Sequence, residues 1–174
     1  MSAQNIGMKI FGLLGIPVIE SCSSEDFPEK VPNLFNIAKQ EILISTDLHP
    51  DFYNNESVKA SIKAAINRNV DIEILIDKGP HDIFKIQWLK ENLDKGRIKA
   101  FYSKDKIRHI IVADGKHIRE ETTHDRSNYD KAKNDIIINA GSIAAFTRDT
   151  LKLMMSESEP YKTDKTNDKN SKNV

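Results

Sequence analysis

Apolar and polar positions along the chain open with an apolar run, Ile10 to Ile19, interrupted by Gly15 and Pro17. Pro17 to Ser21 is predicted as a short buried strand, and residues 1–26 as a lead-in segment. From Phe27 onward, helix-like and strand-like patterns alternate. Pro28 and Pro32 punctuate a helix start, and Leu34, Phe35, Ile37 and Ala38 share one face of a helix ending near Gln40. Glu41 to Thr46 (EILIST) is nearly continuously apolar, the mark of a strand buried on both faces of a mostly parallel sheet. Loop residues follow through His49, Pro50 and Asp51. Asn55 is placed to cap a helix in which Val58, Ile62, Ala65 and Ile66 recur at helical spacing, with Asn69 as its stop.

Val70 to Ile76 is the next predicted strand, followed by a helix over about Asp82 to Leu93 that Gly96 ends. Arg97 to Tyr102 and Arg108 to Ala113 read as strands. Asp114-Gly115 reads as a two-residue hairpin turn into a strand over Lys116 to Glu120. Asp135 to Ile138 is a further strand, and Ser142 is predicted to cap a closing helix that buries Ile143, Phe146, Leu151, Leu153 and Met154. After Tyr161 no apolar residue occurs before Val174, so residues 162–174 are predicted to be a disordered polar tail. The fold class is therefore α/β: a mixed, largely parallel sheet flanked by helices, in one domain over residues 27–161.

Composition narrows the function. The 174 residues suit one domain with a real core. Lys+Arg and Asp+Glu both number 26, so no global field draws the chain to nucleic acid or anionic lipid. Cys22 is the single cysteine, no Cys/His spacing of the zinc type occurs, and neither a cofactor nor a metal is expected. A reducing cytoplasm fits. Export through the apolar start is the alternative, but Pro17, Gly15 and Glu20 interrupt a signal pattern, and the run falls far short of the roughly 20 residues of a membrane helix.

Four blocks, AKQEILISTDLHP, VKASIKAAINRNVDIEILID, IRHIIVADGKHI and NDIIINAGSIAAFTRDTLKLM, resemble in order and spacing a phospholipase D-like domain over roughly residues 30–160. Active members of that family carry a His-x-Lys-x4-Asp motif before this hairpin turn and a Gly-Ser-x-x-Asn-like segment after it. Histidine serves as phosphorus nucleophile or acid, and lysine and asparagine neutralise phosphoryl oxygens. Two motifs must face each other, within one chain or across a homodimer. Anchored on Asp114, the resemblance puts Ile107 in the nucleophile slot and His109 in the lysine slot, on one strand face. Glu121, Thr122 and His124 fall on the downstream slots. An aliphatic side chain cannot attack phosphorus, so no catalytic residue is assigned. The resemblance implies a degenerate unit for ligand sensing, dimerisation or regulation, similar to the effector domains of TrmB-type archaeal regulators. The alternative is a phosphodiesterase or nuclease with a relocated histidine. Thirty residues before the domain are too few for a winged helix-turn-helix.

The expected ligand-contacting residues are His109, Arg119, Thr122, His124 and Arg126, around a small anionic or phosphorylated ligand. A protein partner is the other expectation. His109 has a structural alternative, since a two-residue turn sets it opposite Glu120 as a His-carboxylate pair. His117, opposite Val112 in that register, is predicted to point to the other sheet face. Arg119 and Arg126 offer planar forks in place of the lost lysine; surface salt bridging is the alternative for both. Asp47, His49 and Asp77 lie at strand ends, where open α/β sheets collect ligands.

Overall fold

A computed structural model describes residues 16–23, 25–79, 81–121 and 133–162. Its strands are β1 Val18–Ser23, β2 Glu41–Thr46, β3 Asp71–Ile76, β4 Lys99–Tyr102, β5 Ile110–Ala113, β6 His117–Glu121, β7 Lys133–Ile138 and β8 Glu159–Pro160. The helices are α1 Phe27–Lys30, α2 Pro32–Ile37, α3 Pro50–Asn54, α4 Glu56–Asn67, α5 Gln87–Asp94 and α6 Ser142–Ser156, with a 3-10 turn at Ile83–Lys85. One eight-stranded sheet runs in the order β1-β7-β6-β5-β2-β3-β4-β8.

The sheet is mixed, but mostly antiparallel rather than largely parallel. Only β2–β3 and β3–β4 are parallel, because only these pairs are joined through helices that carry the chain back to the same edge. The β5–β6 hairpin, its extension through β7 to β1, and the β2–β5 pairing are antiparallel.

Each sheet face carries its own core. Ile42, Ile44, Ile72, Ile74, Ile111 and Ala113 meet Phe27, Leu34, Phe35, Phe52, Val58, Ile62 and Leu89 from α1 to α5. On the other face Leu43, Leu75, Val112 and Ile118 meet Ala144, Leu151 and Met155 of α6. The alternation of β2 thus feeds both cores, as its continuous apolar run predicts.

Asn55 caps α4 as expected: its Oδ1 accepts from the backbone N–H groups of Ser57 and Val58 at 3.0 and 3.3 Å. Asn69 ends the turn after α4 at φ 60. Several elements depart from the sequence pattern. Pro32 starts a second helix instead of continuing the first, because its missing N–H suits a first turn. The segment predicted as loop after β2 forms α3, which buries Phe52 and Tyr53. Gly141 at φ 58, not Ser142, precedes α6, and no side-chain cap bond forms there.

The closing helix also turns a different face inward. Ile143, Phe146 and Leu153, predicted to be buried, are 58, 74 and 60% exposed. Small Ala144 lets the helix sit close to the sheet. Arg148 and Lys152 flank the buried stripe and reach Glu41 and Glu73 on β2 and β3.

The β5–β6 hairpin carries one more turn residue than predicted. Asp114 and Gly115 are left-handed, at φ 54 and 57, and the N–H of Lys116 closes the turn on the Ala113 carbonyl at 3.0 Å. The Lys116 carbonyl is taken by the N–H of Ala140 at 2.8 Å, so ladder pairing resumes at Ala113 with His117. Every cross-strand partner shifts by one residue.

Candidate functional site

The shifted register determines the site. The Glu121 N–H donates to the His109 carbonyl at 3.2 Å, so His109 faces Glu121 and not Glu120. The imidazole Nδ1 lies 3.1 Å from Glu121 Oε2. Its Nε2 is 4.0 Å from Asp77 Oδ2, at the carboxyl end of β3. His117, paired with Ala113, sits on the same sheet face as His109; the prediction of opposite faces rested on the shorter turn.

Arg119 lies 5% exposed beside this pair. Its Nη2 is 2.9 Å from Glu121 Oε2, its Nε donates to Asn134 Oδ1 at 2.8 Å, and its Nη1 donates to the His109 carbonyl at 3.3 Å. The guanidinium carbon stands 4.2 Å from the centre of the Phe27 ring, which covers it from α1. The fork that sequence alone would offer to an anion is held by a carboxylate, an amide and a carbonyl of its own chain.

Ile107 does not share a face with His109. β5 begins at Ile110, because the Ser45 hydroxyl donates to the Arg108 carbonyl at 2.6 Å and accepts from the Ile110 N–H at 3.0 Å, replacing ladder bonds. Asp77 Oδ1 accepts the Ile107 N–H at 2.8 Å. The Ile107 side chain packs against the core on the α6 side. The nucleophile slot assigned by spacing thus holds a side chain outside the cleft.

The cleft is lined by Ile44, Thr46 and Asp47 from the end of β2, by His109 and Ile111, by Arg119 and Glu121, and by Phe27, Phe52 and Tyr53. His49 also borders it. The free space inside is about 20 Å³, room for one water and not for a phosphoryl group without movement. Among the described residues, carboxylates outnumber cations around it: Asp47 and Glu121 in the lining and Asp77 against His109, with Arg119 as the guanidinium.

Thr122, His124 and Arg126 lie outside the described residues, so the structure brings together only His109 and Arg119 of the five expected contacts. Glu121 and Asn134 were missed as members of this cluster. A three-residue turn would have revealed Glu121; Asn134 carries no local signal, since only the β6–β7 register sets it beside Arg119. Among the described residues, no three His, Cys, Asp or Glu side chains gather as a metal site, and no helix is long and apolar enough to cross a membrane.

Asp114, the anchor of the resemblance, acts on the backbone. Its carboxylate accepts the N–H groups of Lys39, Gln40 and Glu41 at 2.9, 2.8 and 3.0 Å, fixing the start of β2 against the hairpin. Burial alone would raise its pKa, but these bonds prevail and hold it below the usual carboxylate range.

No protein-family model and no curated protein sequence matches the chain. Solved structures do. TrmBL2, an archaeal chromatin protein whose structure shows a novel mode of DNA binding, superposes with TM-score 0.65 at 14% identity, over 90% of this chain and 62% of that one. This chain therefore spans less than two thirds of TrmBL2. Nuc, a phospholipase D family member from Salmonella typhimurium, gives TM-score 0.64 at 15% identity over 84% of this chain and 99% of Nuc. NucT from Helicobacter pylori gives 0.61 at 11% identity over 83 and 99%. With the mixed sheet, its two faces of helices and the Asp114-anchored hairpin described, these likenesses establish that the chain has a phospholipase D-like fold.

Proposed function

We propose that the chain is a catalytically silent phospholipase D-like unit, serving as a regulatory module that senses a ligand or dimerises. The observation that carries this reading is the engagement of His109 by Glu121 and Asp77 in a cleft with room for one water. Phosphoryl transfer needs a nucleophile with an open approach to phosphorus and cationic donors aimed at its oxygens. Ile107 supplies no lone pair, and Arg119 is held by Glu121 and Asn134. A phosphorylated ligand at His109 and Arg119 would have to displace the Glu121 carboxylate and tolerate Asp47 and Asp77 nearby.

A second reading, a phosphodiesterase with His109 as relocated histidine, draws on the same pair, because a carboxylate on Nδ1 is how a catalytic imidazole is oriented. Turnover of bis-p-nitrophenyl phosphate and of DNA separates the two. The wild-type chain is assayed beside His109→Ala and the His109→Ala, His124→Ala double variant. Equal background from all three is expected; wild-type turnover that the variants lose overturns the silent reading. A thermal-shift screen against phosphate, sugar phosphates and nucleotides then tests the sensing role, where a rise in melting temperature is expected for one class and uniform silence removes it. DNA binding without chemistry, which the TrmBL2 likeness raises, has less support from a chain of zero net charge.

A further inference from the structure

α6 turns its basic residues toward the sheet and its largest apolar ones outward. Arg148 and Lys152 are engaged with Glu41 and Glu73 on the sheet, while Ile143, Phe146 and Leu153 face solvent. The intervening threonines do little to make that outer stripe polar. The Thr147 hydroxyl donates to the Ile143 carbonyl and the Thr150 hydroxyl to the Phe146 carbonyl, each at 2.9 Å, so both side-chain donors are spent within the helix. Asp149 on the flank is paired with Arg148 of the same helix at 2.9 Å.

Ile143, Phe146, Thr150 and Leu153 follow one another by three, four and three residues, the spacing of a two-helix seam. We infer that this stripe is an interface between two copies of the chain, paired antiparallel through α6 about a twofold axis. The order of side chains carries the choice of a second copy. In an antiparallel pair Ile143 meets Leu153 of the other copy, and bulky Phe146 meets small Thr150, at both ends alike. One stripe is thus complementary in size to its own reversal, the requirement of an isologous contact. The internal Arg148–Asp149 pairing lets two such faces meet without an unbalanced charge. The seam lies on the sheet face opposite His109, so this pairing leaves the cleft uncovered.

The inference deepens the regulatory-module reading by naming a dimer surface, and phosphodiesterase assays stand apart from its test. Light scattering behind size exclusion on the full chain is expected to give a dimer. Phe146→Glu should raise its dissociation constant by roughly 30-fold or more, as loss of a central aromatic anchor does, with the circular dichroism spectrum of the folded chain unchanged. Ile143→Lys and Leu153→Glu should each give monomers, and their mixture should restore dimers, since the two charges meet only in the antiparallel register. A monomeric wild-type chain, which is the outcome if other residues or another protein cover the stripe, overturns the inference. So does a dimer that survives Phe146→Glu, or a mixture that stays monomeric.

Discussion

His109 and Arg119 converge on one oxygen: Oε2 of Glu121 lies 3.1 Å from the imidazole Nδ1 and 2.9 Å from the guanidinium Nη2. The carboxylate and the guanidinium are almost fully buried, so neither charge has water to fall back on. Removing one partner strands the other, which typically costs about 3–5 kcal/mol. Arg119→Ala should therefore lower the unfolding free energy by about that amount, measured by urea denaturation near neutral pH. Replacing both residues together, as Arg119→Met with Glu121→Leu, should recover much of the loss, because no isolated charge remains. A single-variant loss under about 1 kcal/mol, the range of a solvent-screened surface pair, would contradict the burial of this cluster.

Asp114 sets a dependence on acid. Its folded-state pKa lies below the ordinary value of 3.8, because three backbone N–H groups outweigh the effect of burial. A depressed carboxylate contributes stability that is complete above the unfolded-state value and is lost as pH falls through the folded value. Asp114→Asn tolerates the left-handed φ of 54 but accepts those N–H groups as a neutral amide. The melting-temperature gap between wild type and Asp114→Asn should hold steady between about pH 7 and 5 and narrow below about 4. Asp114→Ala, which leaves the N–H groups without their acceptor, should cost about 2–3 kcal/mol near neutrality. A gap that stays constant into acid would mean that the carboxylate charge contributes nothing.

The parts of the fold set by local chemistry were legible in the sequence. Asn55 before Val58, Ile62 and Ala65 announces α4, and EILIST announces β2, because cap and periodicity are carried by neighbouring residues. Tertiary partners fixed the rest. The hairpin register depends on Ala140 taking the Lys116 carbonyl, a bond between residues far apart in sequence, and with it goes the pairing of His109 with Glu121. The buried face of α6 depends on the attraction of Arg148 and Lys152 to Glu41 and Glu73, which a hydrophobic pattern does not contain. His109 and Arg119 were visible as candidates, but the partners that hold them were not.

His117 gives a second pH dependence, in the opposite part of the range. Burial depresses its pKa below 6.5, with Lys116 adding to the effect. Its Nδ1 accepts the N–H of Asn139 at 3.1 Å, a role that requires a lone pair on that nitrogen. In the unfolded chain the imidazole takes up a proton more readily, so its contribution is complete above 6.5 and is lost as pH falls through the lower folded value. Wild-type stability should decline between about pH 7.5 and 5, and His117→Gln should reduce that slope. Equal slopes from urea melts across the range would assign the decline to groups other than His117.

Gly115 ties the hairpin to α6. It stands at φ 57, where an L residue is strained by about 1–2 kcal/mol, and a Cβ there would lie 2.7 Å from Cδ of Arg148. The contact is with a flexible side chain, but that side chain is engaged with Glu41, so moving it disturbs the bridge between α6 and β2. Gly115→Ala should therefore destabilise the chain both by backbone strain and by displacing Arg148. The two effects separate in a double-mutant cycle with Arg148→Ala. In that background the steric part disappears, and Gly115→Ala should cost less by roughly 0.5–1 kcal/mol, the coupling expected of residues in contact. Costs that simply add would mean that Arg148 swings aside without losing Glu41, leaving backbone strain as the whole penalty at Gly115.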